Sequence, residues 1–274
     1  MDINLFKLKL KAYKSNFNLG PKGIAYELIK ILSKEYNSKK ATYLDLGCRN
    51  ADLIIAINEL RLFKQIFGLE INKDAIEKAK KNIKDKKIKI ETYPKNSPLP
   101  IKDNSIDILS MVEVLEHIKD RKKICKELYR VLSNNGKLII TVPKKHVFSF
   151  TDIGNLKFRL PLLHKILYTM KYGKEAYNFK YENNPYGLFG DIEKDAGWHY
   201  HFKDNEIVSL AESVGFKLIK KGSIALFFCP LVIAGFISKK IFPILPIKKF
   251  FEGLMTLDAF LFSQARGFYI LEKK

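Results

Sequence analysis

Short apolar segments alternate with amphipathic ones along the first half of the chain, and this alternation restricts the fold more than any other feature. Apolar segments of strand length occur at 41–47, 65–71, 86–93, 105–112 and 137–142. Apolar residues at helical spacing occur at 21–36, 50–62, 72–83 and 119–133. Because strands joined by helices become parallel neighbours with helices on both faces, this order predicts an α/β doubly wound fold.

Two helix ends carry specific signals. Asn72 is expected to cap the helix over 72–83, since its side chain can accept a hydrogen bond from the first turn. The helix over 119–133 is expected to stop at Asn134-Asn135-Gly136, with Gly136 in the left-handed conformation that commonly follows a helix.

The regular pattern is interrupted twice after Pro143. Residues 144–203 are an insertion expected to cap the substrate region, and Pro161 opens a predicted helix over 160–170. The apolar residues that line one face of this helix are Leu162, Leu163, Ile166, Leu167 and Met170. A helix over 204–214 and strands over 215–221 and 267–271 follow, and the strongly apolar insertion 222–265 separates these two strands. We therefore expect one domain over 1–274, with a mostly parallel seven-stranded sheet and two apolar insertions.

Composition narrows the class of protein. The content of hydrophobic residues, 47%, is high enough for a substantial core and excludes wholesale disorder. Lysine and arginine exceed acidic residues by 49 to 29, a net charge of +20 that suits a solvated surface, a nucleic-acid partner or an anionic membrane. Three scattered cysteines exclude a disulfide framework and favour the reducing cytoplasm. The N-terminal residues contain no apolar run of signal-peptide length, so secretory targeting is not expected.

The ends of the first two strands carry the residues that indicate a ligand. Gly47 follows the first strand and allows a sharp turn into a helix, whose N-terminal N–H groups can bind a carboxylate or phosphate. Glu70 ends the second strand, 23 positions later, where a carboxylate can accept hydrogen bonds from two ribose hydroxyls. This arrangement predicts a cofactor that contains a nucleoside.

The glycine pattern excludes the common phosphate-containing cofactors. The dinucleotide motif G-x-G-x-x-G is absent, because Arg49 and Asp52 occupy its second and third glycine positions. No G-x-x-x-x-G-K-[ST] loop occurs either. An adenosine cofactor without phosphates remains, with an amino-acid tail whose carboxylate suits the helix N-terminus, and S-adenosylmethionine fits this description.

Four blocks of sequence resemble class I S-adenosylmethionine-dependent methyltransferases, in that family's order. They are YLDLGCRNADL, FGLEINKDAIEKAKKN, PLPIKDNSIDILSMVEVLEHIKDRKKICKELYRVLSNNGKLIITVP and HYHFKDNEIVSLAESVGFKLI. The nearest likeness is to the type 11 group, which includes ubiquinone/menaquinone-type methylases. The resemblance covers about 41–143 and 199–222 and implies a Rossmann-like fold with S-adenosylmethionine as cofactor.

The resemblance also implies roles for individual residues. It places Asp45 and Gly47 beside the methionine end of the cofactor, Glu70 on the ribose and Ile71 against the adenine ring. It further places Asn96 at the adenine edge, and Met111 and Glu113 under the sulfonium. In the family's G-x-G-x-G pattern, Arg49 and Ala51 replace the second and third glycines here. The Arg49 side chain can point outward while its backbone still approaches the cofactor, if its φ angle is negative.

Three histidines are candidates for work on the acceptor. His117 follows the fourth strand, while His199 and His201 are two positions apart and face one side of an extended chain. Each is interpreted either as a hydrogen-bonded structural residue or as a group that orients the acceptor or accepts its proton. No metal site is expected, because His199 and His201 lack a third ligand nearby in the sequence.

The second insertion suggests the kind of acceptor. Residues 222–238 carry no charge and are followed by Lys239, Lys240, Lys248 and Lys249. A membrane-spanning helix is disfavoured, because Pro230 interrupts the apolar run and the flanking strands must return to one sheet. Residues 222–249 are interpreted either as a peripheral element at an anionic membrane surface or as a hydrophobic lid or dimer surface. Both interpretations favour a lipophilic acceptor.

The sequence therefore predicts a methyltransferase that acts on a small lipophilic or lipid-linked acceptor, in the cytoplasm or peripherally on the cytoplasmic face of a membrane. One alternative is an RNA methyltransferase that uses the basic surface, although no added RNA-binding module is recognisable. Another is a degenerate, non-catalytic membrane-associated binding protein, which the altered glycine loop would suit. The sequence does not indicate an oligomeric state.

Overall fold

The computed structural model describes residues 41–58, 61, 63–95, 97–145, 157, 160–183, 200–224, 254 and 266–274. The helix predicted over 21–36 and most of the insertion 222–265 lie outside these residues. The strands are β1 Ala41–Leu46, β2 Phe63–Glu70, β3 Ile88–Thr92, β4 Ile106–Val112, β5 Leu132–Pro143, β6 Phe216–Ile224 and β7 Arg266–Lys273. The helices are α1 Asp52–Asn58, α2 Lys73–Asn82, α3 Arg121–Val131, α4 Pro161–Tyr172, α5 Lys174–Tyr177 and α6 Asp204–Glu212.

The described strands form one seven-stranded sheet in the order β3-β2-β1-β4-β5-β7-β6. All neighbouring strands are parallel except β7, which runs antiparallel to both β5 and β6. From β1 the chain proceeds first to β2 and β3 on one side, and then to β4 and β5 on the other. This reversal opens a crevice at the carboxyl ends of β1 and β4, where ligands bind in such sheets. The predicted doubly wound, mostly parallel sheet is confirmed.

Helices cover both faces of the sheet. Tyr43 of β1 points to the face on which α1 and α2 pack, and Leu44 points to the face on which α3 and α6 pack. The core residues from α1 and α2 are Ile54, Ile57, Ile76 and Ala79, and those from α3 and α6 are Leu128, Val131, Ile207 and Ala211. The central strands β1 and β4 are therefore buried on both sides, as their near-continuous apolar sequences require.

One predicted helix cap is confirmed and one is wrong. The Asn72 side chain accepts a hydrogen bond from the backbone N–H of Ala75 at 3.1 Å, as expected of an N-cap. Helix α3 instead ends at Val131, and Asn135, not Gly136, has the left-handed φ of 62°. Position 136 needs glycine for space, because a Cβ there would lie 2.7 Å from the carbonyl oxygen of Ser133.

The last strand is fixed at its end by a buried lysine. The ammonium group of Lys273 donates hydrogen bonds to Asn104 Oδ1 at 2.7 Å, to the carbonyl oxygen of Tyr129 at 2.7 Å and to that of Leu132 at 2.8 Å. Since an ammonium group has three N–H donors, each is satisfied and the charge can be buried. β7 is therefore held against the end of α3, the start of β5 and the loop before β4.

The first insertion leaves and rejoins the sheet at a single place. The backbone N–H of Phe202 donates to the carbonyl oxygen of Pro143 at 2.9 Å, and the N–H of Lys145 donates to that of Phe202 at 2.8 Å. The predicted helix within the insertion is confirmed as α4, with Pro161 in its first turn. Within the described residues, no helix has the length and apolar character needed to cross a membrane.

Candidate active site

The loop between β1 and α1 has an unusual backbone. Gly47, Arg49 and Ala51 all adopt left-handed conformations, with φ angles of 81°, 47° and 62°. The negative φ that would let the Arg49 backbone approach the cofactor is therefore not found. The reason is that every second residue of the loop adopts a left-handed conformation. Glycine adopts this conformation without strain, whereas residues with a side chain do not. The chain keeps the path of a glycine-rich loop although two of the three positions carry side chains.

Glu70 holds this loop to the end of β2. Its Oε2 accepts a hydrogen bond from the backbone N–H of Arg49 at 3.0 Å, and its Oε1 accepts from the N–H groups of Ile71 at 2.8 Å and Asn72 at 3.0 Å. The residue is only 7% exposed. Because a carboxylate offers about four acceptor positions, this arrangement leaves Oε2 able to accept one more hydrogen bond, not two. The Ile71 side chain is exposed beside it and offers an apolar surface.

Asp45 lies next to Glu70 at the buried end of β1. Its Oδ1 accepts a hydrogen bond from the Ser110 hydroxyl at 2.5 Å, and the Tyr43 hydroxyl lies 2.5 Å from the same Ser110 oxygen. Burial raises the pKa of Asp45 to about 7; the hydrogen bond from Ser110 opposes this rise, and the charge of Glu70 adds to it. Burial therefore favours the protonated form of this carboxyl group.

Tyr43 and Ser110 form a chain of hydrogen bonds that ends at Asp45. Burial, with the nearby charge of Asp45 as the next cause, raises the pKa of Tyr43 well above its usual value, so the phenol keeps its proton. Tyr43 therefore donates to Ser110, and Ser110 donates to Asp45. Neither Tyr43 nor Ser110 was predicted as a site residue from the sequence, although Tyr43 and Asp45 are two positions apart on one strand and hence on one face. Asp45 pairs with Ser110 across β1 and β4, and this pairing brings the third residue of the chain of hydrogen bonds into place.

Met111 and Glu113 lie at the end of β4. Met111 pairs with Leu46, and its side chain is buried among the core residues on the face opposite Asp45. Glu113 has a left-handed φ of 53°, and its carboxylate accepts a hydrogen bond from the Thr141 hydroxyl at 3.1 Å. The structure therefore does not bring either side chain into the group formed by Asp45 and Glu70.

The candidate histidines lie on segments other than those that carry Asp45 and Glu70. His117 ends a short 3-10 helix, Leu115–His117, and its Nε2 lies 3.9 Å from the carboxylate of the buried Glu116. His201 is half-buried just before Phe202, at the point where the first insertion rejoins β5. His199 and Asn96 lie outside the described residues.

Arg121 fixes the returning end of the insertion. Its guanidinium lies 4.2 Å from the centre of the Tyr200 ring and 4.8 Å from that of Phe202, so the N-terminus of α3 packs on both rings. Asp204 accepts hydrogen bonds from the Tyr269 hydroxyl at 2.6 Å and from Lys144 at 3.1 Å. The first residue of α6, directly after the insertion, is thereby bonded to the start of the insertion and to β7.

A family model described as a methyltransferase domain matches residues 37–186, which is more than half of the chain. The chain belongs to this methyltransferase family. The resemblance seen in the strand-end motifs is thus confirmed, and the protein is an S-adenosylmethionine-dependent methyltransferase. An uncharacterised protein of Methanocaldococcus jannaschii is 30% identical to it over 60% of this chain and 68% of that protein.

Two relatives of the methyltransferase have names that refer to quinones. The ubiquinone biosynthesis O-methyltransferase of Pelagibacter ubique is 31% identical over 44% of this chain and 50% of its own length. The demethylmenaquinone methyltransferase of Lactobacillus johnsonii is 32% identical over 35% of this chain and 41% of its own length. The alignments thus span half or less of these two named relatives.

Solved structures share the fold of the methyltransferase. Phosphoethanolamine N-methyltransferase 2 of Haemonchus contortus, in complex with S-adenosyl-L-methionine, matches with a TM-score of 0.58 at 14% identity, over 100% of this chain and 57% of that one. A putative sarcosine dimethylglycine methyltransferase from Galdieria sulphuraria also matches with a TM-score of 0.58, at 15% identity over 90% and 84% of the two chains. At these identities the likeness establishes the architecture alone.

The residues at the strand ends fit the cofactor. S-adenosylmethionine carries an ammonium group, a carboxylate, two ribose hydroxyls and an adenine ring. A buried carboxyl group, a left-handed loop, an acceptor position on Glu70 and an exposed Ile71 side chain are complementary to these groups. No residue of this set has a charge or a size that conflicts with the cofactor.

Proposed function

We propose that this methyltransferase transfers the methyl group of S-adenosylmethionine to a small lipophilic or lipid-linked acceptor. The observation that carries the proposal is that Asp45, the Gly47–Ala51 loop and Glu70 lie together at the carboxyl ends of β1 and β2. The lipophilic nature of the acceptor is supported by the two relatives named for quinone methylation and by the uncharged run 222–238. The alignments cover half or less of these relatives' length. A lipophilic acceptor is therefore our proposal for this chain and is not taken over from them.

Each group at the strand edge is assigned a part of the cofactor. The ionised Asp45 carboxylate pairs with the ammonium group, and the backbone of Gly47 and Arg49 lies along the methionine tail. Glu70 accepts a hydrogen bond from the ribose, and Ile71 packs on the adenine. Asn96 is assigned to the adenine edge, and the backbone of Met111 and Glu113, at the end of β4, to the region under the sulfonium.

The cofactor supplies an electrophilic methyl group on its sulfonium. The protein's contribution is to hold the acceptor in line with that methyl group and to exclude water. His117, His199 and His201 are assigned to orienting the acceptor or accepting its proton. Residues 144–203 are assigned to covering the acceptor, because the insertion starts and ends at the carboxyl end of β5.

Residues 222–249 are assigned to peripheral contact with the cytoplasmic face of a membrane. Most of this segment lies outside the described residues, so its assignment depends on its composition. Its uncharged run and its four lysines suit an interface between lipid tails and anionic headgroups.

Isothermal titration with S-adenosylmethionine tests the cofactor site. Glu70→Ala is expected to weaken binding by about 10- to 100-fold, because the variant loses a charged acceptor and the tie to the Arg49 backbone. Glu91→Ala is the matched control, since this carboxylate is exposed on the neighbouring strand β3. No binding by the wild type, or equal binding by both variants, would remove the proposed site.

Methyl transfer to a panel of acceptors tests the second half of the proposal. Labelled S-adenosylmethionine is incubated with the protein and with lipid extract, hydrophobic phenols and quinols, or total RNA. Label is expected in the lipophilic acceptors. Label in RNA, with binding that weakens steeply as salt rises, would instead support the alternative suggested by the charge of +20.

A further inference from the structure

Helix α4 presents an apolar surface to solvent. Nine large hydrophobic side chains are exposed among the described residues, and seven of them lie within residues 160–179. Leu162 is 78% exposed and Ile166 is 56% exposed. The seven residues are Leu160, Leu162, Leu163, Ile166, Met170, Tyr172 and Phe179, and we call them the α4 surface. Such a concentration on one segment marks a site of interaction, unlike scattered single residues.

The orientation of α4 is fixed by its opposite face. His164 is only 5% exposed, and its ring centre lies 5.7 Å from that of Tyr168, 5.8 Å from that of Tyr177 and 5.1 Å from that of Tyr181. These aromatic rings form a packed layer between α4 and two short helices that follow it, α5 and a π-helix at Asn178–Glu182. The helix therefore cannot turn its aliphatic residues inward without giving up these contacts.

The aliphatic residues form a continuous stripe. Leu162, Ile166 and Met170 are four positions apart, and Leu163 lies between two of them on the same side of the helix. The 12 residues of α4 make a helix about 18 Å long. This length suits a helix that lies along a surface, whereas crossing the hydrocarbon core of a bilayer takes about 20 residues.

The charges of the segment that carries the stripe indicate which partner it fits. Residues 160–183 contain Lys165, Lys171, Lys174 and Lys180 against Glu175 and Glu182, a net charge of +2 within a chain of net charge +20. Lysine is depleted in the cores of protein–protein interfaces, but its long side chain reaches from an apolar surface to anionic headgroups. Exposed Tyr172 and Phe179 add aromatic rings, which are favoured at the boundary between lipid and water.

We propose that the α4 surface docks onto an anionic lipid bilayer, with Leu162, Ile166 and Met170 inserted between the headgroups. The identity of the acceptor rests on the proposed function, but the docking does not. Both ends of the insertion that carries α4 meet the carboxyl end of β5, at the same sheet edge as Asp45 and Glu70. Docking through α4 therefore holds the strand ends that carry Asp45 and Glu70 close to molecules dissolved in the bilayer.

Flotation of the full chain with vesicles tests the proposal. The vesicles contain phosphatidylcholine with or without phosphatidylglycerol. The wild type is expected to float with the anionic vesicles, and the double variant Leu162→Gln/Ile166→Gln is expected to lose at least tenfold in its partition coefficient. Both replaced side chains are exposed, so the circular dichroism spectrum should stay unchanged. Ile219→Gln is the matched control, since Ile219 is an exposed aliphatic residue on β6, and its flotation should equal that of the wild type.

Charge reversal separates the electrostatic contribution from the apolar one. Lys171→Glu/Lys174→Glu should weaken flotation with anionic vesicles and leave flotation with neutral vesicles unchanged. The proposal is overturned if the wild type does not float, or if the Leu162→Gln/Ile166→Gln variant floats as well as the wild type. It is also overturned if light scattering shows a dimer that this variant dissociates, since the surface would then join two copies of the chain.

Titration with S-adenosylmethionine keeps this test apart from that of the proposed function. The Leu162→Gln/Ile166→Gln variant should bind the cofactor with the affinity of the wild type, because the α4 surface contributes nothing to that site. A protein that floats without binding the cofactor would remove the proposed function and leave the docking surface. A protein that binds the cofactor without floating would remove the docking surface and leave the proposed function.

Discussion

Replacing Asp45 with asparagine is expected to stabilise the folded protein above neutral pH, because burial disfavours the ionised carboxylate. Burial raises the pKa of Asp45 from 3.8 to about 7. Each tenfold change in proton affinity corresponds to about 1.4 kcal/mol. Ionised Asp45 therefore destabilises the folded state by about 4 kcal/mol, and an asparagine, which keeps the acceptor oxygen for Ser110 but carries no charge, removes this cost.

The pH dependence of this effect follows from proton linkage. The folded protein binds the Asp45 proton more tightly than the unfolded chain does, so this proton stabilises the folded state. The stabilisation is fully present below about pH 4 and is lost as the pH rises through about 7. Asparagine does not titrate. The variant's advantage in the free energy of unfolding should therefore be small near pH 4 and reach about 4 kcal/mol by about pH 8.

Urea unfolding from pH 4 to pH 9, followed by circular dichroism, measures this difference. Ser110→Ala is the companion variant: it removes the hydrogen bond that lowers the pKa of Asp45, so the loss of stability should move to higher pH. An advantage of Asp45→Asn that does not vary with pH, or a variant less stable than wild type at pH 8, would refute the reasoning. Cofactor affinity should fall in Asp45→Asn, since the charge that we assign to the ammonium group is absent.

Three further substitutions test the packing and the backbone by denaturant unfolding. Arg49→Gly should stabilise the protein by about 1 kcal/mol, because the exposed Arg49 has a left-handed φ that glycine adopts freely; an unchanged midpoint would contradict this. Gly68→Ala should destabilise it by about 1–3 kcal/mol, because the new Cβ would lie 2.5 Å from Ile54 Cδ1; a neutral effect would mean that Ile54 moves aside. Lys273→Met should cost about 3 kcal/mol, since three buried acceptors lose their donor, and a smaller loss would show that water replaces the ammonium group.

The fold could be predicted because its signals are local. Most strands contain a short apolar run, and the helix start at Asn72 depends on a side chain within the same turn. The position of Glu70 at a strand end followed from the same pattern. The parallel order then follows from the alternation of strand and helix, because few topologies accommodate it.

The details that were wrong or missed depend on which residues come into contact once the chain has folded. Gly136 is required by the carbonyl oxygen of Ser133 and by the neighbouring β4, and sequence alone does not distinguish such crowding from a left-handed φ. The hydrogen bonds among Tyr43, Ser110 and Asp45 exist only because β1 and β4 pair in one register. In α4, periodicity identified an apolar stripe, but the aromatic rings on the other side of the helix, not the stripe, became the buried face.

The place of β7 in the sheet bears on how the protein is made in the cell. This strand is the last of the seven in the chain, yet it lies between β5 and β6 and pairs with both. While the ribosome is still translating residues 225–265, β5 and β6 each have an edge with no partner strand. Unpaired edges invite pairing with other chains, so the newly made protein depends on the arrival of residues 266–273 to avoid aggregation.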